Sequence, residues 1–308
     1  YYMMNNFSKN IEFSNYYKRL NFVSLIFIVI SLFLIFFKGL NLGVDFKGGT
    51  LIEVRTPNPQ INISEIRQSF IKMNVGNVTV QRFGNKNDYL VKIEERNNKD
   101  TNFIKKINNQ ISKDLGSEID FRRVENVGPK VSSELIKSAI IAITLSLAAM
   151  LFYIWIRFEW QFSLAAIIAL VHDVIITVGI FSLLSYEINL SIVAAVLTIV
   201  GYSMNDTVVI FDRVRENLRK YSSKKIQELS NISTNETLSR TIITSVTTLL
   251  ALISIYLFGG EILKGFSFAM IIGVLVGTFS SIFVATPILN YTGVSQKTVL
   301  KDEDINKN

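Results

Sequence analysis

The stretch Gly201-Tyr202-Ser203-Met204-Asn205-Asp206-Thr207-Val208-Val209-Ile210-Phe211 places a carboxylate inside an apolar run. An Asp at the centre of a membrane-spanning helix costs about 2.5 to 3.5 kcal/mol on insertion scales, so its presence asks for a use. Two uses fit. Asp206 either takes up and releases protons as helices rearrange, or hydrogen-bonds a neighbouring helix and locks the bundle. A second ionisable pair, His172-Asp173, lies in another apolar run, about 18 Å from its start at 1.5 Å per residue. His172 is the only histidine in the chain, and imidazole is the side chain suited to titrate near neutrality. A structural hydrogen bond is the competing role for it. One His and two carboxylates without further ligands make a poor metal site, and no cofactor is expected.

Polar residues recur at helical spacing around these positions. Thr198, Tyr202, Asn205 and Asp206 share one face of their helix. In the next apolar run Arg240, Thr244, Thr247, Ala251 and Ser254 make a second stripe, and two such stripes facing each other would line a narrow hydrated path. Arg240 is placed at the start of its helix behind a capping box, Ser233-x-x-Glu236. It serves either as a positive-inside anchor or as a partner that favours the ionised form of Asp206. Other chemistries fail on their residues. Gly260-Glu-Ile-Leu-Lys-Gly265-Phe266-Ser267 carries Phe where a phosphate-binding loop needs Lys. Asp173 and Asp206 lack the Gly-x-Gly-Asp sequence of intramembrane aspartyl proteases. With no cysteine there is neither thiolate chemistry nor a zinc–sulfur site.

The elements that must hold these residues are membrane helices. Apolar residues make up 49% of the chain and come in blocks, which marks a polytopic membrane protein. Six spans are expected at 21–37, 137–156, 162–184, 188–211, 241–258 and 265–290. Lys18 and Arg19 precede the first, and no small-x-small cleavage site follows Phe37, so it is expected to remain as an anchor. Lys9, Lys18, Arg19, Arg157, Lys297 and Lys301 fall on one side, together with the basic 212–240 loop. Positive-inside logic therefore puts both termini in the cytoplasm, and residues 38–134 outside. The net charge of +7 is met by anionic lipid headgroups and calls for no nucleic acid.

Between the first two spans the pattern changes to alternation. Ile52 and Val54, Val78 and Val80, Tyr89, Val91 and Ile93, then Ile119 and Phe121 mark four strands. Ile63, Ile66, Phe70 and Met73 define one amphipathic helix; Ile104, Ile107 and Ile111 define another. Gly84-Asn85-Lys86-Asn87 reads as a hairpin turn. The expected fold is α-helical and polytopic, with six spans and an inserted α+β domain of β-α-β-β-α-β order, the ferredoxin-like arrangement. Its parts are a cytoplasmic segment 1–20, the first helix, the domain 38–134, a five-helix bundle 135–290 and a cytoplasmic tail 291–308.

Several motifs resemble a known family. Gly43-Val-Asp-Phe-Lys-Gly-Gly-Thr50, Val127-Gly-Pro-Lys-Val131, His172-Asp173-Val174, Val200-Gly-Tyr-Ser-Met-Asn-Asp-Thr-Val-Val209 and Asn235-Glu-Thr-Leu-Ser-Arg-Thr-Ile-Ile-Thr-Ser245 are similar to those of the SecD/SecF family of bacterial translocase accessory subunits, and within it to its smaller half. The resemblance runs from about Lys38 to Asn290 and implies an RND-like half bundle. It implies a non-enzymatic role, driven by the proton-motive force, in late preprotein translocation across the cytoplasmic membrane. The implied partners are a SecD-like protein, the SecY/SecE/SecG channel with SecA, preproteins and lipid. It also implies that Asp206 and Arg240 are tied to proton conduction, with Asn205, His172 and Asp173 as further relay candidates. Two other readings stay open: a half-size RND-type exporter of lipid or small hydrophobic molecules, and a passive scaffold of the translocon.

Overall fold

The computed structural model describes residues 11–57, 61–94, 103–221 and 224–299. Residues 1–10 and 300–308, with Lys9 and Lys301, lie outside them. Among the described residues six helices are long and apolar enough to cross a membrane. Helix α1 (Ser14–Phe33) continues through a π-helical turn to Lys38. A one-turn helix α2 (Val44–Lys47) leads into the inserted domain. The bundle follows as α5 (Pro129–Arg157), α6 (Trp160–Leu184), α7 (Leu190–Lys220), α8 (Ile226–Phe258) and α9 (Glu261–Ser280). A second π turn, Ser281–Ala285, joins α9 to α10 (Thr286–Tyr291). Pro287 comes two residues after that turn ends, and its missing N–H withdraws a donor from the ladder there.

The inserted domain is built from β1 (Gly49–Arg55), α3 (Ile63–Lys72), β2 (Val78–Arg82), β3 (Asp88–Ile93), α4 (Phe103–Asp114) and β4 (Asp120–Val127). Strand order is β2-β3-β1-β4 and every neighbouring pair is antiparallel, the ferredoxin-like topology. Alternation explains the layering. Ile52, Val54, Val80, Tyr89, Val91 and Ile93 point to α3 and α4, where Ile66, Phe70, Ile107 and Ile111 complete a core of their own. The β2–β3 turn holds Gly84 at φ +74°, a left-handed conformation that favours glycine.

The helices run past their expected ends. Residues 212–240, expected as a loop, are helical apart from a short link: α7 continues to Lys220 and α8 begins at Ile226. The charged residues mark the exit from an apolar medium without ending the helix. Phe211, Val214 and Leu218 keep one buried face, which packs on Leu229. Arg213 holds Glu236 at 2.7 Å, and Asn217 donates to both Ser233 Oγ and Glu236. Ser233 and Glu236 therefore sit inside α8 and form no capping box; the N-cap is Lys225, without a side-chain cap.

Burial divides the helices into two groups. Of their apolar windows, 56% of α6, 50% of α7 and 56% of the last span are buried within the chain, against 11% of α1, 6% of α5 and 17% of α8. The first three are the centre of the bundle; the others turn long apolar faces outward. Close approach within the centre uses glycine. A Cβ on Gly277 would meet Ser203 Cβ at 2.9 Å, and one on Gly273 would overlap Ile199, so the 273/277 pair seats α9 against α7.

Candidate functional site

His172 and Asp173 sit on α6 where α1, α7 and α9 all converge. Both are buried, at 2% and 0% exposure. The His172 ring meets Asp173 Oδ1 through Nδ1 at 2.8 Å, and its Nε2 lies 2.6 Å from Ser24 Oγ of α1. Asp173 Oδ2 also accepts from Ser203 of α7 at 2.5 Å and from Ser280 of α9 at 2.8 Å. One carboxylate thus joins three helices and, through the imidazole, a fourth. Ser280 is the last residue before the π turn, so the network ends at the one place where the last span changes its helical register. The three serines are this network's unexpected members. A single Ser in an apolar helix carries no signal until its partner is known.

Asp206 lies one turn beyond Ser203 on α7 and is 3% exposed. Its Oδ2 is buried without a hydrogen-bond partner. Ser245 of α8 and the Arg240 charge act on it, yet no ion pair within 4 Å joins Arg240 to Asp206 among the described residues. The helix arithmetic explains the level match. Asp206 and Arg240 are each about 17 residues from the middle of the α7–α8 link, so antiparallel helices bring them to one height. Arg240 is deep within α8, not at its start. It is exposed on this chain, as is Asn205 beside Asp206.

Most of the two expected stripes lies open on this chain instead of enclosed between the helices. Thr198 and Asn205 on α7, and Arg240, Thr247, Ala251 and Ser254 on α8, are exposed on the outside of the chain. Several hydroxyls there are spent on their own helix: Thr198 on Ala194 O, Thr247 on Ile243 O and Ser254 on Leu250 O. The exposed face of α8 is one of the three that the bundle leaves uncovered.

A third cluster joins the inserted domain to the bundle. Leu42 pairs with Ile188 in a parallel bridge, with Gly43 N to Ile188 O at 2.9 Å and Ile188 N to Asn41 O at 2.8 Å. Helix α2 works as a rivet: Val44 packs on Leu51 and Leu90 of the sheet, whereas Phe46 enters a bundle cluster with Phe181, Ile192 and Met270. Lys92 of β3 forms an ion pair with Glu187 in the α6–α7 turn, and both side chains are largely buried. Glu187 also lies over Gly43, where a Cβ would come within 2.5 Å of its carboxylate.

With this geometry in place, comparison with known proteins identifies its kind. The family described as "Protein export membrane protein SecD/SecF, C-terminal" matches residues 107–295, and the SecD/SecF GG motif matches residues 33–56. Protein translocase subunit SecF of Rickettsia bellii is 44% identical over 281 residues, covering 90% of this chain and 92% of that one. SecF of Calditerrivibrio nitroreducens is 44% identical with the same coverage. Among solved structures, the crystal structure of SecDF from Thermus thermophilus, titled a translocon-associated membrane protein, superposes with a TM-score of 0.82 at 31% identity. It matches 93% of this chain, which spans 39% of the length of that longer SecDF chain. Six membrane helices, an inserted four-stranded domain after the first, and these matches agree: the chain belongs to the SecD/SecF family of protein export membrane proteins, on its SecF side.

Proposed function

We propose that this multi-pass membrane protein, by family an accessory subunit of the Sec protein translocase, uses the proton-motive force to help draw preproteins across the cytoplasmic membrane. The observation that carries the proton role is Asp206: a carboxylate at 3% exposure, with one oxygen unpartnered, at the height of an arginine that acts on it without closing an ion pair. A lock would be bonded. An acid that alternates between two charge states needs this slack. Arg240 is the group that shifts the balance between those states, and Asn205 flanks the acid on its exposed side. His172 and Asp173 form a second relay candidate, tied to three other helices.

The partner is a SecD-like protein. Support comes from the share of SecDF that this chain spans and from the outward apolar faces of α1, α5 and α8. A second half bundle supplies the symmetry mate that alternating access between repeats requires. The larger assembly includes the SecY/SecE/SecG channel with SecA, and preproteins are its substrates. In this reading the chain runs no covalent chemistry, its termini are cytoplasmic and its inserted domain is extracytoplasmic.

One charge crossing 100 mV is worth about 2.3 kcal/mol, enough to bias a two-state rearrangement roughly fiftyfold. The test is preprotein release in proton-energised vesicles that contain the complete translocase. Asp206→Asn keeps the shape and most hydrogen bonds of the acid, so it should leave insertion and partner binding intact and abolish the proton-dependent part of export. Wild-type export by the variant would return the chain to a scaffold. Capture of a second copy of this chain, and no SecD-like protein, in mild detergent would favour a half-size exporter.

A further inference from the structure

Helix α8 has an inner polar face that the sequence stripes did not include. Ser230, Ser233, Thr234, Thr237, Thr241 and Ser245 follow three- and four-residue spacing, and none is more than 8% exposed. Some of these hydroxyls are satisfied. Ser233 accepts from Asn217, Thr237 donates to Ser233 O, and Ser245 bonds Thr278 of α9 at 2.7 Å. Others are not. Ser230 Oγ, Thr234 Oγ1 and Thr241 Oγ1 are buried without a partner. The same is true of two groups from other helices that reach the seam, Tyr17 Oη of α1 and Asp206 Oδ2 of α7.

A buried polar group left without a bond costs about 1 to 3 kcal/mol. Five of them scattered through a core would be five defects. These are not scattered. The Tyr17 hydroxyl is next to that of Thr234, and Asp206 is next to Ser245, with no direct bond satisfying Tyr17 Oη, Thr234 Oγ1 or Asp206 Oδ2. Polar groups set this close, but not closed, are where a bridging water belongs. Ser230 is four residues from the start of α8, and Thr241 is at the height of Asp206. The seam between them is about 16 Å long at 1.5 Å per residue. It runs from the end of the bundle opposite the inserted domain to the acid.

We propose that the inner face of α8 holds a file of bound water that carries protons between Asp206 and the end of the bundle opposite the inserted domain. Thr241 is the last hydroxyl before the carboxylate, and Thr234 with Tyr17 is the middle station. The inference rests on the proton role of Asp206 and adds a route to it. Each transfer makes one O–H bond and breaks one, so the file needs no other reactant. Thr241 and Thr234 are positioning residues: they hold water in line and are not consumed. The exposed stripe of the same helix is the rival path. Its Thr247 and Ser254 already donate to carbonyls of their own helix.

The experiment measures proton flux in vesicles holding the intact assembly, with a pH-sensitive dye on the cytoplasmic side. Val replaces Thr with little change of shape and no hydroxyl. Thr241→Val and Thr234→Val should each lower flux by roughly tenfold or more. Thr241→Ser restores the hydroxyl and should restore flux, which a packing role would not predict. Thr247→Val on the outer stripe should be silent. Should Thr241→Val fail to accumulate, Thr234→Val and Thr241→Ala carry the comparison. Wild-type flux in the inner variants, while Asp206→Asn abolishes it, overturns this route and spares the proton role. Loss of flux in Thr247→Val with the inner variants unaffected moves the path to the exposed stripe and also overturns it. Unchanged flux in Asp206→Asn overturns the proton role itself.

Discussion

The Asp45 carboxylate accepts the backbone N–H of Leu190 at 2.9 Å, so the stem of the inserted domain caps the helix that carries Asp206. An anion there also meets the positive end of the α7 dipole. Together with the Leu42–Ile188 bridge and the Phe46 rivet, this contact ties the domain's base to the two helices that hold every buried ionisable group of the candidate site.

The Lys92–Glu187 ion pair extends that junction into the sheet. Reversing either charge leaves two like charges facing each other at a largely buried site, which should loosen the domain from the bundle. Lys92→Glu combined with Glu187→Lys should recover much of the loss. Limited proteolysis of the 38–49 stem, compared across the two single variants and the double, measures this coupling. Additive effects, without recovery, would remove the pair from the junction.

Arg240 separates two roles by its shape. Arg240→Lys keeps the positive charge but loses the planar fork. As a topological anchor Lys should serve equally well, because the positive-inside rule counts both alike. As the group that biases Asp206, Lys should weaken proton-driven export, and Arg240→Met should weaken it further. Export at equal membrane abundance decides, and equal Arg and Lys forms would leave only the anchor.

The Asp173 network should show itself first in stability. Hydrogen bonds between membrane helices average about 0.6 kcal/mol each, and Asp173 accepts three from side chains. Ser280→Ala removes one of them. Asp173→Asn turns one acceptor into a donor that faces donors, so it should lower the thermal midpoint in detergent by more than Ser280→Ala does. If Asp173→Asn keeps its midpoint and loses proton-driven export, the pair belongs to the relay; the reverse result makes it a clamp.

Acid should weaken the inserted domain through Asp88. Arg55 grips its carboxylate with two bonds of 2.6 Å, and Asn85 adds a third at 3.1 Å. The bonds from Arg55, followed by opposing burial and then Asn85, hold the Asp88 carboxyl below its ordinary value. A carboxyl depressed on folding stabilises fully above its unfolded pKa, about 3.9, and loses that contribution as pH falls through the folded value. Urea unfolding of the domain at pH 7, 5 and 3 should show a loss confined to the lowest pH, smaller in Asp88→Asn. The same acid loss in both proteins would assign it to other groups.

Much of this architecture is legible in the residues. Alternation at Ile52/Val54 and Tyr89/Val91/Ile93 reveals strands because that face of the sheet packs on two helices, while Leu51 and Leu90 on the other face are covered by the stem at Val44. Apolar runs reveal spans because nothing else satisfies a bilayer. Helix ends are harder: Asp212 to Lys220 reads as loop by charge, and only the spacing of Phe211, Val214 and Leu218 shows that the helix continues. In the site, Asp206, His172 and Asp173 stand out as charges in apolar surroundings. Ser24, Ser203 and Ser280 do not, because their meaning comes from four helices meeting in space. The pairing of Lys92 with Glu187 is hidden for the same reason.

Helix α7 is one unbroken helix of 31 residues, about 46 Å from end to end. Its neighbour changes register at the π turn after Ser280. A stiff shaft and a jointed one therefore lie in contact, meshed where Gly273 meets Ile199 and Gly277 meets Ser203. A rotation of the shaft would be felt at both of its ends, at Asp45 on one side and at the Arg213–Glu236 clasp on the other. The jointed helix has slack to absorb the same turn. A rotation begun at Asp206 would therefore reach the domain and the clasp together, with the π turn beside α9 as its joint.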